Sequence, residues 1–231
     1  RLFNVKFKNI LFFLKNYYFD NFKSKKLNIK SPDYIILSGS YSLQHPQFKD
    51  VNKKTKYIWA HSYDYDQFLN TNKNYNNKKT TDYAVFYDSP YPLFKNDIYI
   101  EGIENALTVE KFYPSICNFF SYIENTLNTK IIIAAHPSSD HTNNDVYGGR
   151  DIIKNKTAEL TKYCQFVILR NTTAICYPVL WNKPIIFYTS NELNNSKFMY
   201  NNLKKFTEFF SKEALNIDGN YEKINFEKEL N

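Results

Sequence analysis

The chain has few cysteines, and their positions suggest neither a disulfide nor a zinc site. Of its 231 residues three are cysteine: Cys117, Cys164 and Cys176. The count is odd and the spacings match no disulfide framework or metal-binding motif, so we predict reduced thiols in an intracellular protein. No other group of histidines and acidic residues has the spacing of metal ligands, and we expect no metal.

Long apolar runs and long basic runs are missing as well. The longest apolar run falls far short of the roughly 20 residues that cross a bilayer, so no membrane-spanning helix is predicted. The formal net charge is +7 and the sequence pI is about 9.0, a balance that favours anionic partners. Because the lysines are scattered, with no Lys/Arg block, a nucleic-acid partner is not expected, whereas a phosphorylated substrate or an anionic membrane face is left open.

The sequence does contain hydrophobic periodicity, first in its N-terminal part. With 43% hydrophobic and 23% charged residues, its composition is that of a globular protein. Apolar residues recur at helical spacing over 3–18, and we favour a helix packed on its own domain over one lying on a membrane. Strand patterns follow at 34–40 and 56–62. We therefore predict that 1–70 is the remnant of an N-terminal α/β unit, and that the polar stretch 71–82 is a linker.

After this linker, strands and helices alternate regularly. Strands are predicted at 83–88, 130–137, 166–173 and 184–190, and helices at 111–127, 156–164 and 174–182. Strands that are apolar throughout and separated by helices indicate a parallel sheet covered on both faces. We predict a doubly wound parallel α/β domain over 83–215, followed by a tail over 216–231.

The predicted parallel strands end in polar or small residues. These ends are Asp88-Ser89-Pro90, His136-Pro137-Ser138-Ser139 and Arg170-Asn171-Thr172-Thr173. Because carboxyl ends of parallel strands share one edge of a sheet, these residues are predicted to line one cleft. Thr172 and Thr173 open a helix whose free amides favour a phosphate, and His136 can donate to a phosphate leaving group. Taken singly, the threonines are better explained as a helix cap and the histidine as the end of a strand that leaves the core through a proline turn, and it is their conjunction that favours a site.

The order of these elements over about 83–190 resembles the C-terminal half of GT-B glycosyltransferases that build bacterial surface polysaccharides. The HP and Thr-Thr motifs resemble those of bacterial sialyltransferases and 3-deoxy-octulosonate transferases. In those families the HP histidine and a Ser/Thr pair contact the CMP part of the donor. The resemblance therefore gives these roles to His136, Thr172 and Thr173. The segment KPIIFY, 183–188, is also similar to teichoic-acid glycerophosphotransferases, which use CDP-glycerol.

The resemblance implies a metal-independent glycosyltransferase without a further cofactor. It would transfer a sugar from a nucleotide-activated donor, CMP-linked in the families named, to a glycan or lipid-linked glycan of the bacterial surface. The expected place is the cytoplasm, and peripheral contact with the inner membrane is left open. A CDP-glycerol-type phosphotransferase and a non-catalytic carbohydrate-assembly or binding module of the same fold are the alternatives.

The catalytic base is the part of the match that is missing. The acidic-acidic-glycine motif of the sialyltransferase-like families is absent, and Asp88-Ser89-Pro90 is at best a divergent substitute. Asp64 and Asp66 are candidate bases, with solvated turn residues as the alternative. Since the chain begins with Arg1 rather than methionine, a base in an upstream part of the protein is also left open.

Two cations between the HP strand and the next helix complete the predicted site. Arg150 follows a Gly-Gly turn and Lys156 precedes the helix, and we expect both to meet a phosphate or carboxylate of the donor. The full predicted nucleotide- and substrate-binding set is Asp88, Ser89, His136, Pro137, Ser138, Arg150, Lys156, Thr172 and Thr173.

Overall fold

The structure, a computed structural model, describes residues 11, 14, 15, 17, 18, 30–44, 51–73, 81–93, 106–141 and 145–231, and of Glu222 only the backbone. The chain divides into two compact units after Ser62. The described residues among 11–18 are helical, whereas the rest of the helix predicted over 3–18 lies outside the described residues.

The described part of the first unit contains a parallel pair of strands. β1 (Tyr34–Leu37) pairs in register with β2 (Lys56–Trp59), and a short 3-10 helix, Ser40–Gln44, follows β1. Both strands were predicted, although each is shorter than its sequence pattern. Within the pair only Leu37 is buried; Ile35 is half-buried and the other apolar side chains are exposed.

The second unit contains a six-stranded, all-parallel sheet in its described part. Its strands are β3 (Tyr83–Tyr87), β4 (Lys130–Ala135), β5 (Ile152–Lys154), β6 (Val167–Leu169), β7 (Ile185–Thr189) and β8 (Ala214–Asn216). The order across the sheet is β5-β4-β3-β6-β7-β8, which is the doubly wound order of a Rossmann-like fold. The predicted parallel α/β sheet is therefore confirmed, while the short edge strands β5 and β8 were missed.

Helices cover both faces of this sheet. They are α1 (Tyr63–Lys73), α2 (Val109–Leu127), α3 (Thr157–Tyr163), α4 (Cys176–Leu180), α5 (Asn191–Asn195), α6 (Lys197–Phe209) and α7 (Phe226–Glu229). Phe86 of β3 packs in the core beneath α2, whereas its neighbours Val85 and Tyr87 pack in a second core with Leu160 of α3. Because both faces are covered, every strand position favours an apolar side chain, which explains the apolar runs in the sequence.

The boundary between the two units differs from the prediction at residue 70. Helix α1 runs past that point to Lys73 and belongs to the second unit. There Phe68 packs on Trp181, with ring centroids 5.0 Å apart, and the Trp181 indole donates to Asn72 Oδ1 at 3.1 Å. The last turn of α1 is polar in sequence, so its pattern resembles that of a linker. These tertiary contacts are what stabilise it as helix. The remainder of the predicted linker, 74–80, lies outside the described residues.

The predicted tail, 216–231, is part of the second unit rather than an appendage. Asn216 ends β8, Ile217 is completely buried, and Phe226 of α7 is buried beside Tyr122 of α2 with ring centroids 6.0 Å apart. Two widely spaced apolar anchors make no periodic pattern, which is why the sequence did not reveal this segment as core.

Candidate functional site

The candidate site lies where the strand order reverses, between β3 and β6. From β3 the chain builds outward to β5 on one side, whereas β6 to β8 extend the other side. The helix that follows β3 packs on one face, and the 3-10 turn after β6 packs on the opposite face. In such sheets a crevice opens at the carboxyl ends of the two neighbouring strands whose connections leave toward opposite faces. We call this place the switch point.

The switch point unites most of the residues predicted from the strand ends. Asp88 and Ser89 follow β3, His136 follows β4, and Thr172 comes shortly after β6. Since β4 and β6 both pair with β3 in parallel, all three ends lie at one edge of the sheet. The shared edge predicted for His136 and Thr172 is thus confirmed.

His136 leaves the sheet in a tight turn that fixes its imidazole. The Ser138 amide donates to His136 Nδ1 at 3.2 Å, and the Ser138 hydroxyl lies 2.7 Å from the same nitrogen. An amide N–H can only donate, so Nδ1 accepts and the neutral ring carries its proton on Nε2. The Ser139 amide closes the turn on the His136 carbonyl at 2.9 Å, while Pro137 and Ser138 are exposed. The turn therefore prepares His136 as a hydrogen-bond donor.

Asp88 anchors this turn from the end of β3. Its buried carboxylate accepts from Tyr147 Oη at 2.6 Å, from His141 Nε2 at 3.0 Å and from the His136 amide at 3.1 Å. Burial opposes the charged form, but the hydrogen bonds from His141 and Tyr147 outweigh it, and the pKa of Asp88 is lowered from its ordinary value. Asp88 is thus a charged structural hub beneath the HP turn. His141 and Tyr147 were not predicted, since the spacing of His141 matched no partner in the sequence.

Arg170 crosses the switch point from the end of β6. Its side chain is 7% exposed, Nη2 donates to Ser89 Oγ at 3.2 Å, and Nη1 lies 3.9 Å from Met199 Sδ. Its Nε is buried without a partner, and among the described residues no carboxylate lies within ion-pair distance of the guanidinium. The predicted binding set omitted Arg170. The available signal was a cation placed directly after a fully apolar strand.

The two threonines after β6 begin a short helical segment. Thr172 Oγ1 accepts from the Ala174 amide at 3.2 Å and so caps the 3-10 turn Thr173–Ile175, which continues into α4. Thr173 is exposed. The cap interpretation of Thr172 is therefore confirmed, and a contact of either hydroxyl with phosphate stays a prediction.

The two predicted cations of the 139–157 segment lie at opposite edges of the sheet. Arg150 precedes β5, at the amino edge. Its guanidinium donates to both carboxylate oxygens of Glu124 of α2, from Nη2 at 2.6 Å and from Nε at 3.2 Å. Lys156 follows β5, at the carboxyl edge, where it is exposed and 3.8 Å from Glu159. The structure does not bring Arg150 to His136, because the unpredicted strand β5 separates the two cations.

The candidate bases Asp64 and Asp66 lie in the first turn of α1. They are helical rather than turn residues. Asp64 Oδ1 accepts from Tyr177 Oη at 3.1 Å, beside the start of α4, and Asp66 is exposed. Burial, followed by the charge of Asp64, raises the pKa of Tyr177, so the phenol stays a donor to Asp64. A role as base stays a prediction for both.

Comparison of the chain with protein-family models, with curated proteins and with solved structures found no match. Among the described residues, no three histidine, cysteine or acidic side chains are grouped so that they could hold a metal ion. Within the same residues, no helix is long and apolar enough to cross a membrane. The functional interpretation therefore depends on the motifs and on the geometry of the switch point.

Proposed function

We propose that this chain carries the nucleotide-binding half of a GT-B-type glycosyltransferase that uses a nucleotide-activated sugar. One observation supports the proposal above the others: the His136 turn and the Thr172 cap flank the switch point of a Rossmann-like sheet at the same edge. Nucleotides bind at this position in open α/β sheets. The donor phosphate would lie between the two motifs, since both motifs contact the CMP part of the donor in the families that they resemble.

The proposed reaction is displacement at the anomeric carbon of the donor sugar. A hydroxyl of the acceptor glycan forms the new bond to that carbon, and the bond to the nucleotide phosphate breaks with its electron pair going to the phosphate oxygen. His136 Nε2–H, held in this tautomer by Ser138, would donate to that oxygen as its charge develops. The acceptor proton would go to Asp64, to Asp66 or to a base outside this chain.

The proposed partners follow from the same assignment. The donor would be CMP-linked if the motifs are used as in the sialyltransferase-like families, and the acceptor would be a glycan or lipid-linked glycan. The donor phosphate would be neutralised by side chains and free amides rather than by a metal. The proposed location is the cytoplasm, with the acceptor at the inner face of the membrane.

A non-catalytic nucleotide-binding module is the second candidate, and the carboxylates favour it. Asp88 is engaged by Tyr147 and His141, and its lowered pKa opposes proton uptake near neutral pH. Asp64 accepts from Tyr177. A site that binds nucleotide without a base in this chain would bind and not turn over.

Calorimetry with CMP, CDP and UDP, followed by mass analysis of products from CMP- and CDP-linked donors, tests these proposals. The transferase predicts nucleotide binding that His136→Ala weakens by at least about tenfold, on the order of 1.4 kcal/mol. Lys204→Ala, an exposed cation of α6 outside the predicted binding set, is the matched control for general charge. Binding without any product would favour the module, and unchanged binding in folded His136→Ala would remove the histidine from the site.

A further inference from the structure

Among the residues that the structure describes, Arg170 has no counter-charge in direct contact. The side chain is 7% exposed and its Nε is completely enclosed without a partner among the described residues. Its two hydrogen-bond partners are neutral: the Ser89 hydroxyl and the Met199 thioether. Buried charges in proteins are normally paired with an opposite charge, because removing a charge from water is costly. An oxyanion would therefore supply the opposite charge that the described residues do not place against the guanidinium.

The neighbouring carboxylate does not fill this position. Asp88 stands at the end of the adjoining strand, but its oxygens accept from Tyr147, from His141 and from the His136 amide. No ion pair joins it to Arg170 in the described part of the chain. Asp88 thus belongs to the HP turn, and Arg170 remains a separate positive group on the other side of the switch point.

Ser89 adds a second donor to this place. Its Oγ accepts from Arg170 Nη2 at 3.2 Å and from the Tyr91 amide at 3.4 Å, so its own proton is free to point elsewhere. Ser89 is half-buried as a residue rather than enclosed. A guanidinium and a hydroxyl side by side match the acceptor oxygens of a phosphate.

We propose that Arg170, with Ser89, is a phosphate-binding subsite at the switch point. Binding of a phosphate here needs only these two residues, whereas its identity as the phosphate of a sugar donor rests on the proposed function. The oxyanion would complete the coordination of a buried cation that has no ionic partner among the described residues. A carboxylate of the donor would present the same oxygens, and the choice of probe separates the two sources.

The experiment measures thermal stability and calorimetric binding of the full chain with inorganic pyrophosphate, at ionic strength matched with sodium chloride. Wild type should bind pyrophosphate, and Arg170→Met should bind it at least about tenfold more weakly. Arg170→Lys should have an intermediate affinity, because it keeps the positive charge but loses the planar pair of N–H donors of the guanidinium. The free Arg170→Met protein should be as stable as wild type or more so, since an unpaired buried charge has been removed. Acetate, which supplies only a carboxylate, should bind more weakly than pyrophosphate.

Arg150→Met is the matched control, because Arg150 is a partly buried arginine that already has its carboxylate, Glu124, at 2.6 Å. It should lose stability and keep pyrophosphate binding. The inference is overturned if wild type does not bind pyrophosphate, if Arg170→Met binds as wild type does, if acetate binds as well as pyrophosphate, or if Arg170→Met destabilises or unfolds the free protein. Pyrophosphate binding without turnover of any nucleotide sugar would sustain this inference and favour the non-catalytic module over the transferase. Turnover of a nucleotide sugar, together with pyrophosphate binding that Arg170→Met does not change, would support the transferase and overturn the Arg170 subsite.

Discussion

Two arginines at opposite edges of one sheet differ in what surrounds them. At the amino edge, Arg150 donates from Nε and Nη2 to the two carboxylate oxygens of Glu124. At the carboxyl edge, Arg170 is more deeply buried, and its hydrogen-bond partners among the described residues are the neutral groups of Ser89 and Met199. The first arginine has a carboxylate partner, whereas the second has no ionic partner among the described residues. Edge position and partner, rather than residue type, thus distinguish a structural arginine from a candidate binding residue.

The largest effect is expected at Asp88, a buried carboxylate at the carboxyl edge. Asp88→Asn should lower the free energy of unfolding by about 3 kcal/mol, because Tyr147 and His141 then face an amide inside the core. Urea denaturation measures this loss. Glu208→Gln, an exposed partner of Lys204 at 3.6 Å, is the control and should change stability by about 0.5 kcal/mol or less. Equal losses of stability in the two variants would show that the hydrogen bonds of Asp88 contribute no more than an exposed ion pair.

The pH dependence of stability should report the same carboxylate. The pKa of Asp88 is lower in the folded chain than its ordinary value, so its charged form stabilises the fold above the unfolded pKa of about 3.9. This contribution should disappear as the pH falls from that value through the lower folded pKa. Urea unfolding from pH 6 down to the acid limit should therefore show a smaller acid loss in Asp88→Asn than in wild type. Identical profiles would contradict the lowered pKa.

The amino-edge pair should matter less than Asp88. Arg150→Met should cost about 1 to 2 kcal/mol, since the pair is partly exposed, with 11% and 25% of the two side chains accessible. The double change Arg150→Met with Glu124→Met should recover part of the loss, because no charge is left alone. Urea titrations of the single and double variants measure the coupling. A double variant no better than Arg150→Met alone would mean that the pair contributes little.

The smallest effect is expected from the threonines after β6. Thr172→Ala with Thr173→Ala should cost about 1 kcal/mol through the lost cap on Ala174, while Ser at both positions should be nearly silent. If the hydroxyls also hold phosphate, the Ala pair weakens CMP binding and the Ser pair does not. Calorimetry beside urea unfolding separates the two roles, and a stability loss with CMP binding unchanged would leave the cap as the whole role of these threonines.

Local sequence was sufficient for the main strands of the second unit. Four apolar runs separated by helical periodicity predicted a parallel sheet, and the parallel rule then placed Asp88, His136 and Thr172 at one edge. These predictions succeeded because a strand buried on both faces must be apolar at every position. The edge strand β5 has three residues and two half-buried side chains, so it left no comparable signal.

What the sequence determined by itself was the fold class and the residues at the strand ends, because both follow from hydrophobic pattern and chain direction. Tertiary structure alone decided which charges are satisfied. Arg150 was predicted as a ligand contact and is paired with Glu124, whereas Arg170 was omitted and has no ionic partner among the described residues. The physical reason is that a charge is stabilised by neighbours in space, 26 positions away for Arg150 and Glu124. No periodicity of the chain encodes such neighbours.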